Sequence, residues 1–199
     1  MPAHHPQTAA DSFPSDPRSQ RRTRALEVLQ HDIEGCRSCT SLPPWRKFDR
    51  AASGTLETGY LLVGEAPGFV SWQNRRRFTG PAGLLIRRAL RRVGHPRFRD
   101  LEDLFYLTDA VKCHPAAFHN DRANRSPSGR EVRACVGFLA RELQVLRPRV
   151  IVTFGNRAAA SVAQALASRD HGGATAWGRC PELVAFPHPS PRNIVTIRS

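Results

Sequence analysis

Lysine is almost missing from this strongly basic sequence. Of the 30 basic residues in the 199-residue chain, Lys47 and Lys112 are the lysines and the rest are arginines. The formal net charge is +13, which favours a polyanionic partner, nucleic acid first and an anionic membrane second. A GC-rich genome also produces an excess of arginine, so the composition supports nucleic acid without establishing it.

Long apolar runs and targeting segments are missing as well. No stretch approaches the ~20 apolar residues that a helix needs to cross a bilayer. The N-terminal segment has no apolar core, which excludes a secretory signal. We therefore expect a cytoplasmic protein, whose five cysteines serve as metal ligands or free thiols rather than as disulfides. Residues 1–18 are rich in Pro, Ser, His and Asp and are predicted to be a disordered tail before a single domain at 19–199.

The stretch at 60–83 organises the rest of the chain. An apolar run at 60–63 is typical of a buried parallel strand, and two glycines and a proline turn the chain at 64–68. An arginine-rich loop with Trp72 and Phe78 follows, and a helical pattern begins after Gly80. Strand, glycine turn and helix N-terminus form ligand sites in α/β proteins, although purely structural connections have the same pattern.

Strands and helices alternate along the whole chain. Helices are predicted at 19–33, 80–94, 131–146 and 157–166, strands at 58–63, 104–108, 150–154 and 183–186, and loops at 116–128 and 171–178. This order predicts an α/β protein whose parallel sheet is covered by helices on both faces. The carboxyl ends of parallel strands share one edge of a sheet, so the polar residues that follow them are expected to converge. These residues are Glu65, Asp109, Asn156 and His188.

The cysteine spacing indicates a metal centre. Cys36 and Cys39 are separated by two residues, a spacing with which two thiolates clasp one centre. Cys113 and Cys135 are the candidates for two further ligands, and Cys180 is left over. The second close pair of a zinc ribbon is missing, which favours an iron–sulfur cluster. Alternatively, Cys135 is a small buried hydrophobe and Cys113 is a loop thiol.

Five motifs occur in one order between Cys36 and Asn193. They are GEAPG with FTGPAG at 64–83, YLTDAVKC at 106–113, the segment at 124–135, RPRVIVTFG at 147–155, and HPS at 188–190. Together they resemble the iron–sulfur uracil-DNA glycosylases of families 4 and 5. The resemblance implies a three-layer αβα sandwich around a four-stranded parallel sheet, and a protein, expected to be a monomer, that acts on a base flipped out of DNA. It also implies a 4Fe-4S cluster held by Cys36, Cys39, Cys113 and Cys135.

The resemblance assigns roles to single residues. Phe78 would stack on the flipped base, and Asp109 would read the edge of that base. His188 would stabilise the negative charge that grows on the base as the bond breaks, and Glu65 or the turn backbone would position the water. The remaining assigned positions are Gly64, Ala66 and Gly68 for the base and Arg75, Arg76, Arg77, Ser190 and Arg192 for the DNA.

Asp109 is the main departure from the family pattern. The family has an asparagine there, which donates to O4 of uracil and accepts from N3–H. An ionised carboxylate has no donor and would repel O4, although it would accept from an amino group such as that of cytosine. A carboxyl kept neutral by burial would still donate to O4. The segment at 69–77 also differs, because aromatic and basic residues replace the acidic cluster of the family.

Three functions remain open from the sequence. The first is a DNA repair glycosylase that removes uracil or another deaminated base and leaves an abasic site. The second is a weak or inactive relative that binds damaged or single-stranded DNA. The third is a nucleotide-binding α/β protein that uses the turn at Gly64, which is disfavoured because G-x-G-x-x-G and the P-loop lysine motif are both missing.

Overall fold

A computed structural model describes residues 17–40, 42, 53–117, 120–168 and 180–189. The predicted tail up to residue 16, the predicted loop at 171–178, and the candidate residues Ser190 and Arg192 lie outside the described residues. Within the described ranges, no helix is both long enough and apolar enough to span a bilayer.

Helices and strands alternate as the sequence predicts. In chain order they are α1 (Pro17–Gly35), β1 (Tyr60–Gly64), α2 (Phe69–Gln73), α3 (Pro81–Val93), α4 (Leu101–Leu104), β2 (Tyr106–Asp109), β3 (Ala116–Ala117), β4 (Asn120–Asn124), α5 (Gly129–Leu146), β5 (Val150–Phe154), α6 (Asn156–Ala167) and β6 (Glu182–Phe186). Helix α1 begins two residues inside the segment predicted to be disordered. Its first residue is Pro17, and the fixed φ of proline suits the first position of a helix.

Four parallel strands form the central sheet in the order β2-β1-β5-β6. The chain passes from β1 to β2 on one side and later returns to β5 on the other side of β1. The sheet therefore reverses its strand order between β1 and β5, and α/β proteins bind ligands outside the carboxyl ends of the strands at such a point.

Alternate residues of β1 supply the two faces of the sheet. Leu61 and Val63 join an apolar cluster with α5 and α6. Leu62 points to the opposite face, where its cluster includes Leu101 of α4 and Ile86 of α3. The sheet thus lies between two helical layers, and the α/β sandwich implied by the resemblance is confirmed.

Two predicted boundaries are wrong for physical reasons. The segment at 116–128, predicted as a loop, contains the antiparallel pair β3 and β4. The residues of β3 and β4 whose side chains the structure describes are partly or fully exposed, so no buried face creates an apolar alternation in the sequence. The second strand begins at Tyr106 rather than 104, because Asp100 and Asp103 form a capping box that starts the short helix α4.

Candidate active site

The carboxyl end of β1 brings three predicted residues together at Gly64. Gly64 lies opposite Asp109 in the strand register. A Cβ on Gly64 would overlap Oδ1 of Asp109 and would lie 3.2 Å from the ring of Phe78. The missing side chain therefore lets a carboxyl group and an aromatic ring approach the same point, as a pocket for a flat, polar ligand requires.

Phe78 is held in a left-handed backbone conformation, with φ of 56°. L-residues rarely adopt this region, so the surrounding structure must hold it. Arg87 Nε donates a hydrogen bond to the carbonyl of Phe78 at 3.0 Å. Gly83 allows the same carbonyl to approach α3, because a Cβ at Gly83 would overlap it. Both contacts fix the ring relative to the sheet.

Arg87 is the centre of a buried ion-pair network. Its side chain is 3% exposed and donates to both carboxylate oxygens of Glu102, at 2.6 and 2.8 Å, to Asp100, and to the carbonyl of Arg77 at 2.9 Å. Burial alone would raise the pKa of Glu102, but hydrogen bonds from Arg87 and Arg76 lower it to about 2. The loop that carries Phe78 is thereby anchored to α3 and α4.

Asp109 is buried beside a second arginine. Arg77 Nε lies 3.9 Å from Asp109 Oδ2, and Arg77 Nη1 donates to Ser53 Oγ at 2.9 Å. The exposed fractions of Arg77 and Asp109 are 5% and 6%. Burial raises the pKa of Asp109 to about 6, against the opposing charges of Arg77 and Lys112.

The three neighbouring arginines have different environments. Arg75 is exposed, whereas Arg76 forms ion pairs with Asp100 and Glu102 at 3.0 and 2.8 Å. Arg77 faces Asp109 rather than the solvent. The row of DNA-facing arginines that the sequence predicts is therefore not a single surface, because Arg75 and Arg76 are exposed and Arg77 is buried.

Glu65 turns toward the first residues of α6. Its Oε1 accepts a hydrogen bond from the Arg157 N–H at 3.2 Å, and a Cβ on Gly155 would overlap its carboxylate. A carboxylate is favourable here because the N-terminus of a helix carries partial positive charge. Ala66, the next residue of the turn, is partly buried. The predicted catalytic carboxylate thus sits between the ends of β1 and β5.

His188 lies at the same edge of the sheet, two residues beyond the end of β6, and is half-buried. In the strand order β2-β1-β5-β6, the first and last strands are three spacings apart, or roughly 14 Å. Asp109 and His188 therefore bracket the carboxyl edge, with Glu65 between them. The strand order thus places these residues along one edge of the sheet, while the convergence of their side chains on one ligand stays a prediction.

The four predicted cysteine ligands line one cavity of about 230 Å³. Cys36 and Cys39 follow α1, Cys113 follows β2, and Cys135 belongs to α5. Burial, followed by the nearby thiol of Cys135, raises the pKa of Cys39. Cys180 is exposed and does not line this cavity. In the part of the chain that the structure describes, no three His, Cys, Asp or Glu side chains converge closely enough to hold a single metal ion.

His114 and Asn124 both contact the GEAPG turn, and His114 is a residue that the sequence did not predict. His114, which follows Cys113, is fully buried, and its Nδ1 donates to the Pro67 carbonyl at 3.0 Å. Asn124 Oδ1 accepts from the Phe69 N–H at 2.8 Å, and a Cβ on Gly68 would lie 3.3 Å from Asn124 Nδ2. Arg87 was also missed, although its spacing of four residues from Gly83 places both on the buried face of α3.

Comparison with known proteins gives a consistent result. The sequence profile of the Uracil DNA glycosylase superfamily matches residues 52–198. The chain is 33% identical over 155 residues to the type-4 uracil-DNA glycosylase of Pyrobaculum aerophilum, covering 78% of this chain and 73% of that protein. It is 33% identical over 134 residues to the type-4 uracil-DNA glycosylase of Thermotoga maritima, covering 67% of this chain and 64% of the relative. The type-5 uracil-DNA glycosylase of Pyrobaculum aerophilum is 33% identical over 176 residues, with 79% and 69% covered.

Proposed function

Because this chain belongs to the uracil-DNA glycosylase superfamily, we propose that it is a DNA repair glycosylase. It hydrolyses the N-glycosidic bond of a flipped-out uracil or another deaminated base and leaves an abasic site. The observation that carries the proposal is the meeting of the Asp109 carboxyl group and the Phe78 ring at Gly64. These groups supply a polar reader and a stacking surface at the edge where an α/β sheet binds its ligand.

Phe78 and Asp109 bind different parts of the base. The ring of Phe78 stacks on the face of the base, a contact worth about 1–3 kcal/mol for one base. The carboxyl of Asp109 meets the polar edge. When it is neutral it offers one donor for O4 and one acceptor for N3–H, which is the pattern that uracil requires. Burial of Asp109 supports this reading, because burial disfavours the charged form.

Cleavage of the N-glycosidic bond needs groups that lie along the carboxyl edge of the sheet, on the side away from Asp109. The electrons of the glycosidic bond pass to the base and spread onto O2, where an N–H of His188 stabilises the developing charge. Water adds to C1′ and loses a proton, and Glu65 or the backbone of its turn orients that water. The position of Glu65 between β1 and β5 supports this role.

We assign the cysteine cavity to a 4Fe-4S cluster. Four thiols on one cavity are the donor set of such a cluster. Cys36, Cys39, Cys113 and Cys135 would hold it. When bound, the cluster supplies a covalent link between the end of α1, the end of β2 and α5.

The partner follows from the charge and the family. We propose that the protein acts as a cytoplasmic monomer on DNA, with the net charge of +13 favouring the phosphate backbone. Arg75 is exposed and lies three residues before Phe78, and it is assigned to a phosphate contact.

An excision assay tests the proposal. Oligonucleotides that carry uracil, hypoxanthine, xanthine or cytosine, as single strands and in mismatches, are incubated with the protein and then cleaved at abasic sites by alkali. We expect cleavage of the uracil strand and of no strand that contains undamaged bases alone. Retained DNA binding with no excision of any base would instead identify a binding protein without turnover.

A further inference from the structure

The buried contact between Arg77 and Asp109 has no role in the function proposed so far. Arg77 leaves the exposed row of arginines and turns inward, so that its Nε lies 3.9 Å from Asp109 Oδ2. Ser53 Oγ accepts from its Nη1 at 2.9 Å, which fixes the guanidinium at the end of β2. Burying an arginine is costly unless it is paired, so this conformation requires the negative partner that Asp109 provides.

Of the two cations near Asp109, Arg77 is the one whose guanidinium group faces the carboxyl group. Lys112 is also close, but its Nζ donates to the main-chain oxygen of Asp109 at 2.6 Å rather than to the carboxylate. Lys112 also forms an ion pair with Glu142 at 2.6 Å, so the two charges on that side oppose each other. Arg77 and Lys112 favour the ionised form of Asp109, and Glu142 and burial disfavour it.

The charge of Asp109 decides which base edge it can bind. A neutral carboxyl donates to O4 and accepts from N3–H, and therefore fits uracil. An ionised carboxylate only accepts, so O4 is repelled and bases that present N–H groups alone at this edge are favoured. The residue that fixes this charge controls the specificity of the pocket without touching the base.

We propose that Arg77 is a positioning residue that sets the base specificity of the pocket, because its contact with Asp109 holds that carboxyl ionised. The inference rests on the proposed glycosylase function. It predicts that uracil is processed by the fraction of molecules in which Asp109 is neutral. Uracil excision should therefore fall as the pH rises above about 6, the pKa to which burial raises Asp109. Loss of Arg77 removes a positive charge that lowers the pKa of Asp109. The pH at which uracil excision declines should therefore move upward.

The experiment compares pH profiles of single-turnover uracil excision between pH 5 and 9. Arg77→Met removes the charge but keeps a long apolar stem, and Arg77→Lys keeps the charge. Arg99→Met is the matched control, because it removes an exposed arginine distant in sequence from the Phe78 loop. Asp109→Asn supplies a background that cannot ionise. Carboxyl carbon NMR of Asp109, assigned by its disappearance in Asp109→Asn, measures the titration without turnover.

We expect Arg77→Met to move the midpoint upward and to raise uracil excision at pH 7 by up to about tenfold, since about a tenth of a group with a pKa near 6 is protonated there. Arg77→Lys and Arg99→Met should keep a midpoint near that of the unaltered protein. In the Asp109→Asn background, Arg77→Met should produce no pH-dependent change.

Two results would overturn the inference. One is an equal loss of excision at every pH in Arg77→Met, which would show that Arg77 contacts the base directly. The other is an unmoved NMR titration of Asp109. If the unaltered protein excises no base but Asp109 titrates at a higher pH in Arg77→Met, the proposed enzyme function fails while the control of Asp109 by Arg77 stands.

Discussion

Phe78 combines an unfavourable backbone conformation with a defined place in the pocket. A positive φ of 56° in a bulky residue costs about 1–3 kcal/mol, which the contacts to Arg87 and Gly83 must offset. Strain of this kind clusters at ligand sites, because it holds a side chain where the ligand needs it. The orientation of the ring is therefore set by the backbone beneath it rather than by its own apolar contacts alone.

Phe78→Leu tests the stacking role at the residue scale. Leucine keeps much of the contact with the apolar cluster around Leu62 but removes the aromatic face. We expect uracil excision to fall by about 5- to 150-fold, which corresponds to a stacking loss of about 1–3 kcal/mol. Thermal unfolding should change modestly, because Phe78 is only partly buried and leucine keeps most of its apolar contact.

Phe98→Leu is the control, since Phe98 lies on the loop after α3 and stacks on His95 at 4.6 Å. Excision by this variant should match that of the unaltered protein. If Phe78→Leu were as active as Phe98→Leu, the aromatic ring at position 78 would not bind the base.

Residues whose role depends on local sequence could be predicted from the motifs. Gly64, Phe78 and Asp109 each stand at a turn or at the end of a strand, and the register then brings them together. Arg77 and Arg87 were not predicted as buried, because sequence patterns treat arginine as a surface residue and contain no record of a distant carboxylate partner. Their burial depends on Asp109, Asp100 and Glu102, which lie 13 or more residues away in the chain.

At the scale of elements, α3 and α4 are joined through ion pairs as well as through the apolar cluster that Ile86 and Leu101 share. The capping box of α4 uses Asp100 at its N-terminus, and the same carboxylate pairs with Arg87 of α3. Glu102 binds both Arg87 and Arg76, so the loop that ends in Phe78 is attached at two points. The position of the pocket wall therefore depends on four charged side chains that do not touch the base.

Arg87→Met should destabilise the protein by about 1–3 kcal/mol, because the ion pairs are lost while Glu102 and Asp100 are partly exposed and keep some hydration. The carbonyls of Arg77 and Phe78 also lose their donor. Urea unfolding followed by circular dichroism measures the effect. Arg88→Met, which removes the exposed arginine next along the same helix, should stay within about 0.5 kcal/mol of the unaltered protein. Similar values for the two variants would mean that the network contributes little.

The same network predicts an acid-sensitive stability. The pKa of Glu102 is lowered to about 2 in the folded protein, so its contribution is complete above the ordinary range near 4.5 and is lost as the pH falls toward 2. The free energy of unfolding, measured with urea at pH 7, 4 and 3, should therefore decline as the pH falls. This decline should be smaller in Glu102→Gln. An identical decline in both proteins would place the acid sensitivity in other groups.

Most element boundaries could be predicted because each has a local chemical signal. Gly94 adopts a φ of 69° at the end of α3, and Ser128 caps α5 with Glu131. The antiparallel pair of β3 and β4 has no such signal, because its residues show no alternation of apolar and polar side chains that would mark a strand. The placement of polar residues along the carboxyl edge followed from the alternation of elements, whereas the links from His114 and Asn124 to the turn required the folded chain.

At the scale of the whole molecule, the cysteine cavity joins segments that are distant in sequence. Cys36 and Cys39 follow α1, while Cys113 and Cys135 come from the central sheet and α5. Next to Cys113, His114 carries this connection on to the turn that holds Gly64. A cluster held in this cavity, as proposed above, would therefore stabilise the packing of the N-terminal helix on the domain.

Cys39→Ser should abolish the absorbance near 400 nm of anaerobically purified protein and lower its melting temperature. The loss of a link worth several kcal/mol corresponds to about 10 °C or more for a chain of this size. Cys180→Ser should leave both the absorbance and the melting temperature unchanged, since Cys180 is exposed and outside the cavity. Retained absorbance in Cys39→Ser would exclude Cys39 as a ligand.

The buried pair of Lys112 and Glu142 has a practical consequence for labelling. Lys112 is 3% exposed and its ammonium group is engaged with Glu142, Thr108 and the Asp109 carbonyl, so amine-directed reagents cannot reach it in the folded state. Lys47 is the sole other lysine of the sequence. Label found on Lys112, as distinct from Lys47, therefore reports that the core has opened.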